Sequence, residues 1–166
     1  MQLTYGALSV CLSVSVSVCL QVSGNSYVCG AYTPVSWPAD AAERSRYVAD
    51  PYGRTFLFSL TNKHGRAVKL RLKDSHCDEA LNLSGSHCGP AFGCDEDLQL
   101  MHAEAADEPQ GCSTQPSSFE IDHEAERQAG LPPIPFAYDK KLLAGRDGKA
   151  RGYVYFAAAE IEVYKL

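Results

Sequence analysis

Residues 75–100 read SHCDEALNLSGSHCGPAFGCDEDLQL, a stretch that holds His76, Cys77, His87, Cys88 and Cys94. Thiolates and imidazoles are the ligands zinc takes, and thiolates are also the nucleophiles of redox chemistry. Both chemistries depend on spacing. Structural zinc sites pair their ligands as Cys-x2-4-Cys, because one tight turn can then aim two thiolates at one ion. Here ten residues separate Cys77 from Cys88, and five separate Cys88 from Cys94. Only the adjacent pairs His76-Cys77 and His87-Cys88 come near such a knuckle. No Cys-x-x-Cys occurs, so a redox dithiol has no signature either. Spacing thus assigns no metal ligand. The clustering itself leaves an alternative function: a thiol- or zinc-dependent redox protein using residues 76–112. It would scavenge peroxide through Cys77, Cys88, Cys94 or Cys112, or hold a zinc ion.

Other constellations fail on chemical grounds. In DGKARGYVYFAA, aligning Gly152 with the invariant glycine of a calcium loop puts Asp147 at the first ligand position. Lys149 and Arg151 then fall at the next two and Ala158 at the last, and cations do not coordinate calcium. There is no Gly-x-Ser-x-Gly nucleophile elbow. LAGRDGKARG lacks the phosphate-loop spacing. Glu160 and Glu162 lie two apart, so on a strand they share one face. Paired carboxylates can do acid/base work, but a solvated strand face is the commoner use of that pattern. No catalysis is indicated.

The elements that carry these residues belong to a chain of 166 residues, a length for one domain with a sizeable core. Apolar residues make up 45% and charged ones 21%, which is globular rather than disordered composition. The net charge is -5 and Lys/Arg never cluster beyond pairs, so the basic face that nucleic acid needs is missing. Seven cysteines, an odd number, stand at Cys11, Cys19, Cys29, Cys77, Cys88, Cys94 and Cys112. Irregular spacing in a chain this size favours reduced thiols and a cytoplasmic location.

The N-terminal run ALSVCLSVSVSVCLQVSG is of another kind. It lacks the basic flank of a signal peptide, since no charged residue precedes Asp40. Serines interrupt it too often for a membrane span of about 20 apolar residues. The SVSVSV alternation suits a strand. The nucleotide word TCTG, read in frame, also generates Ser-Val-Cys-Leu, and a pyrimidine-rich tract ending in CAG resembles an intron end. Residues 1–24 are therefore expected to be a translated intron or a disordered tail, ahead of a signal peptide. Residues 1–26 are expected to form no folded domain, and no membrane insertion is expected.

Beyond the tract, Pro34 and Pro38 exclude a helix around Trp37. DAAERSRYVAD suggests a helical turn starting near Asp40. TFLFSLTNKHGRAVKLRLKD reads as an antiparallel hairpin. Phe56, Phe58 and Leu60 share one face of its first strand, and Val68, Leu70 and Leu72 one face of its second. Arg66, Lys69, Arg71 and Lys73 are expected on the wet side. DLQLMH is a short strand with Leu98 and Leu100 inward. AEAADEPQGCSTQPSS has loop composition. DHEAERQAGLPPIP looks like an insertion or mobile loop, with one helical turn stopped by Gly130. YVYFAAAEIEVYKL is a terminal strand with Ile161 and Val163 on one side and Glu160, Glu162 and Tyr164 on the other. Short antiparallel strands with proline in the loops predict a β-rich α+β chain, mainly β: a two-sheet antiparallel sandwich with a few short helices. Its core would hold Phe56, Phe58, Leu70, Leu72, Leu98, Phe156 and Ile161.

Six pieces in order, YVCGAYTPVSW, RTFLFSLTN, GPAFGCDEDLQL, GCSTQPSS, KLLAGRDG and AAAEIEVYKL, resemble the TLDc domain of oxidation-resistance proteins. Order and spacing agree over residues 27–166. The resemblance implies a two-sheet sandwich and a non-enzymatic interaction module linked to protection against oxidative stress. It implies a protein partner, with subunits of the vacuolar proton-pumping ATPase (the V-ATPase) the family precedent. No established active site or cofactor goes with the family, so it assigns no catalytic, cofactor-binding or metal residue. The matching positions Gly89, Pro90, Phe92, Gly93, Asp97, Leu98, Gly145, Glu160 and Glu162 would be structural or interface-forming. The chain departs from the family at Cys29, Cys94 and Asp95, and in the long DHEAERQAGLPPIP connection. The repeat tract stands where the family has its first strands. A partial domain lacking those strands would expose apolar faces and sheet edges and be poorly soluble or partly unfolded.

Overall fold

A computed structural model describes residues 16–22, 24, 26–36, 47–83, 91–94, 97–100, 111–115, 117–135, 141–144 and 154–165. The chain is mainly β, two antiparallel sheets with a few short helices. In order, the strands are β1 (Val16–Val22), β2 (Val28–Thr33), β3 (Tyr47–Val48), β4 (Phe56–Thr61) and β5 (Val68–Leu72). A 3₁₀ segment (Asp74–Glu79) leads to β6 (Leu81–Asn82), β7 (Ala91–Phe92), β8 (Leu98–Leu100), β9 (Gly111–Thr114) and β10 (Phe119–Ile121). Helices α1 (His123–Gln128) and α2 (Lys141–Ala144) precede the long strand β11 (Val154–Lys165).

The first sheet runs β10-β5-β4-β2-β1-β11, and the ladder continues from β11 through β9-β8-β7-β6 to β3. Strand β11 serves both sheets. Its first part, Val154 to Ala157, pairs with β9, and its remainder, from Ala158 on, pairs with β1. Gln21 lies opposite Glu160 and Val22 opposite Ala158, which leaves Ala159 as an extra residue. Such a bulge bends a strand and is how one strand turns the corner between packed sheets. The sheets enclose one core that includes Leu20, Leu57, Leu70 and Leu72 from the first and Phe92, Leu98, Cys112 and Phe156 from the second.

The serine-valine tract differs from its expectation. Val16–Val22 is a strand with neighbours on both sides, β2 and β11. Val18, Leu20 and Val22 are buried, while Ser17, Cys19 and Gln21 lie on the opposite face. Period-two alternation between valine and serine is what a half-buried strand requires, however the repeat arose. Residues 1–15 lie outside the described residues.

The hairpin β4–β5 forms as read. The Gly65 N–H donates to the Asn62 carbonyl at 3.1 Å, and the His64 N–H donates to Asn62 Oδ1 at 2.9 Å. Val68, Leu70 and Leu72 point into the core. Strand β4 has the opposite facing from its expectation: Leu57 and Ser59 point inward, while Phe56 and Phe58 are half-buried on the outer face. Leu57 lies opposite Leu70, so the register with β5 fixes the facing. FLFSL is apolar on both faces, and alternation alone cannot choose between them. Leu60 sits in a bulge, Thr61 being opposite Val28 and Ser59 opposite Cys29, and it is exposed. Ile161 is likewise only half-buried, packed against the rim of the core.

Two loop expectations change. GCST within the polar 103–118 stretch is strand β9, held between β8 and β11. The DHEAERQAGLPPIP segment holds one helix, α1, and is pinned to β5 by charge. Asp122 caps α1, its Oδ1 accepting from the Ala125 N–H at 2.9 Å. Lys69 of β5 has its Nζ 3.0 Å from Asp122, and Arg66, two residues before β5, pairs with Glu126. Ile134 is buried, with its N–H on Glu126 Oε2. The basic face of β5 is thus the seat of this segment as well as a wet surface. The helical turn expected near Asp40 lies outside the described residues.

Candidate functional site

The Phe-Gly-x-x-x-Asp-Leu stretch folds around a buried carboxylate. Asp97 Oδ1 accepts from the N–H groups of Ser117 at 2.9 Å, Ser118 at 3.0 Å and Phe119 at 3.2 Å. Its Oδ2 accepts from the Ser117 hydroxyl at 2.7 Å. Several N–H donors converging on one buried carboxyl group make a preorganised clamp. Gly93 fits beside it with φ at +87°, and a Cβ there would stand 2.4 Å from Asp97 Oδ2 and 2.9 Å from Ser118 Oγ. This position therefore excludes a side chain on two counts, backbone conformation and space. Phe92 and Leu98 on either side are fully buried. Gly89, Pro90 and Gly145 lie outside the described residues.

The clamp places Cys94. Its N–H donates to Ser118 Oγ at 2.9 Å, and its carbonyl accepts from the Tyr47 hydroxyl at 3.1 Å. The Ser118 hydroxyl lies 3.1 Å from Cys94 Sγ. Against this thiol stands the 3₁₀ segment. Its end is tied to the β7 turn by the Gly93 N–H on the Ala80 carbonyl at 3.0 Å. Ligand atoms of His76, Glu79 and Cys94 lie within 4.8 Å of one another, and all three residues are half-buried. The Ser75 hydroxyl is 2.9 Å from His76 Nδ1 and steadies the ring. A thiolate, an imidazole and a carboxylate converging from two segments form a donor set suited to zinc.

The sequence cluster is thus only partly brought together. His76 meets Cys94 rather than its neighbour Cys77, and Glu79 was missed. The 3₁₀ segment is broken at His76 (φ -123°, ψ 15°), so the spacing of His76 and Glu79 carried no regular helical signal. Cys77 instead faces the Lys73 carbonyl at 3.8 Å. His87 and Cys88 lie outside the described residues.

Among the described residues, the environments of the other thiols disfavour the thiolate. Desolvation pushes Cys77 above the usual thiol range, with the nearby carboxylates of Asp74, Asp50 and Asp78 adding to it. Burial does the same to Cys29, and to Cys19, whose cross-strand neighbour Glu162 reinforces the shift. Cys112 is fully buried. Thiolate, not thiol, is the reactive form, so raised or buried thiols are poor peroxide scavengers.

The remaining matching residues lie on the outer face of the first sheet. Across neighbouring strands, Glu162, Cys19, Gly30, Phe58 and Lys69 form one row. Phe58 lies over Gly30, where a Cβ would come within 2.5 Å of the ring and 2.0 Å of the Val18 carbonyl oxygen. Tyr32 stacks on Phe56 at 5.0 Å, and Lys69 Nζ sits 5.1 Å from the Phe56 centroid. Glu160 and Glu162 are exposed at the acidic side of this face, with the Tyr164 hydroxyl on Glu162. Among the described residues, no helix is long and apolar enough to cross a membrane. No protein-family model, curated protein or solved structure matches this chain.

Proposed function

We propose that the chain is a non-enzymatic interaction module of the TLDc type. It would contribute to oxidative-stress protection in the cytoplasm by docking on a protein partner, with the V-ATPase as the partner the resemblance suggests. The observation that carries this reading is the ordered motif series. Its described residues divide into two kinds. Gly93, Asp97, Phe92 and Leu98 hold the fold together and leave no reacting group exposed. Ser59 of the FLFSL motif donates to the Leu142 carbonyl of the LLAG motif at 2.9 Å, joining two motifs through a buried contact. Glu160 and Glu162 are exposed and stay available to a basic partner surface. The test is capture of pump subunits from cell lysate by the full chain, compared with a Glu160→Lys/Glu162→Lys variant. Recovery by the parent and loss in the variant is expected. Failure of the parent to recover any pump subunit overturns the assignment of the pump.

A further inference from the structure

We propose that His76, Glu79 and Cys94 form a zinc-binding site that clasps the 3₁₀ segment to the β7 turn. Three donors of different chemistry meet within 4.8 Å, although Cys94 lies fifteen residues after Glu79. A tetrahedral zinc ion sets its ligand atoms about 3.5 Å apart, given bond lengths of about 2.0–2.3 Å. Side-chain rotation of roughly 1 Å closes the difference, and all three side chains have partial access to solvent in which to make it.

The surroundings are those of a built site. Metal-binding histidines and cysteines are oriented by outer hydrogen bonds, and their loss weakens binding. His76 has the Ser75 hydroxyl at its Nδ1, and Cys94 has the Ser118 hydroxyl at its Sγ. The Cys94 backbone is fixed through both its N–H and its carbonyl. A thiolate with an imidazole selects zinc over magnesium or calcium, which want oxygen donors alone. Three protein ligands leave the fourth position to water. Binding converts the Cys94 thiol to a zinc thiolate and passes its proton to solvent, so uptake releases protons and strengthens as pH rises. This inference is independent of pump docking, and failure of capture leaves it standing.

The test uses the full chain, reduced and stripped with a chelator, titrated with zinc against a chromophoric competitor and separately with cobalt. A single site with a thiolate-to-cobalt charge-transfer band is expected. Cys94→Ser should abolish that band. His76→Ala and Glu79→Gln should each weaken zinc binding by at least about tenfold. Cys77→Ser should change neither. Should Cys94→Ser fail to fold, the other two ligand variants decide the matter. A parent chain that takes up no zinc overturns the proposal. So does unchanged affinity in His76→Ala and Glu79→Gln, or a site lost in Cys88→Ser and kept in Cys94→Ser.

Discussion

Asp97 satisfies three backbone N–H groups and a hydroxyl from one buried side chain. Removing it leaves those donors unpaired, at about 1–3 kcal/mol for each group stranded without water. Asp97→Ala should therefore lower the denaturant midpoint severely, and Asp97→Asn by a smaller step, because one oxygen still accepts. Gly93→Ala adds a left-handed φ to a steric clash and should cost about 2 kcal/mol or more. Carboxylates elsewhere give the acid response. Burial pushes Glu126 upward, but hydrogen bonds from His123 and the Ile134 N–H, with the Arg66 guanidinium, outweigh it and hold the group below its usual 4.5. Burial likewise opposes Asp122, where the Ala125 N–H and Lys69 prevail. A depressed carboxylate stabilises the folded state above its unfolded value and loses that contribution as pH falls through the folded one. Stability should thus hold down to about pH 4.5 and decline below it. Glu126→Gln should flatten the decline in melts taken across the acid range, and an unchanged slope would contradict the assignment. At this scale the sequence was a partial guide. It marked Gly93 and Asp97 as a motif but not their clamp, because the donors come from residues 117–119. It marked His76 and Cys94 but not their proximity, because a turn-to-turn hydrogen bond, not chain distance, brings the 3₁₀ segment and the β7 turn together.

Strand identity was legible wherever apolar and polar residues alternate: β5, β8, β11 and, against the genetic-code reading, β1. Facing was less legible. Strand β4 is apolar on both sides, and only its pairing opposite Leu70 decides that Leu57 and not Phe56 is interior. Strand β9 was lost in a polar stretch, since a strand held between two others needs little hydrophobic signal of its own. The two bulges carry no sequence mark at all. Each makes one residue, Leu60 or Ala159, extra to the register. Deleting Ala159 removes the extra residue, keeps Val22 opposite Ala158 and Gln21 opposite Glu160, and so straightens β11 where it passes between the sheets. A lowered melting temperature is the expected result, and an unchanged one would deny the bend a structural role. The α1 cap should behave in the usual way. Asp122→Ala should cost about 1 kcal/mol through the cap, with little more from the half-exposed Lys69 pair.

The whole molecule depends on β1 more than composition suggested. The first sheet loses its continuity between β2 and β11 without Val16–Val22. A chain beginning at Tyr27 should then show no cooperative thermal transition, while the full chain should melt as one unit. Equal melting of the two would return the tract to the status of a tail. At its extremes the ladder is guarded by brevity, ending on β10 with three residues and β3 with two. Short edges offer little template to another chain.

Strand β11 has a further consequence in time. It joins β1 on one side and β9 on the other, so neither sheet has its full set of neighbours until β11 has left the ribosome. The other strands of each sheet can pair among themselves before it, but β1 and β9 each keep one open edge until β11 arrives. Pairings as distant as Val16 with Lys165 close slowly, since loop entropy must be overcome before contacts repay it. Joining of the two sheets is thus the late step, and the open edge of β1 is the surface exposed to wrong pairing until β11 covers it.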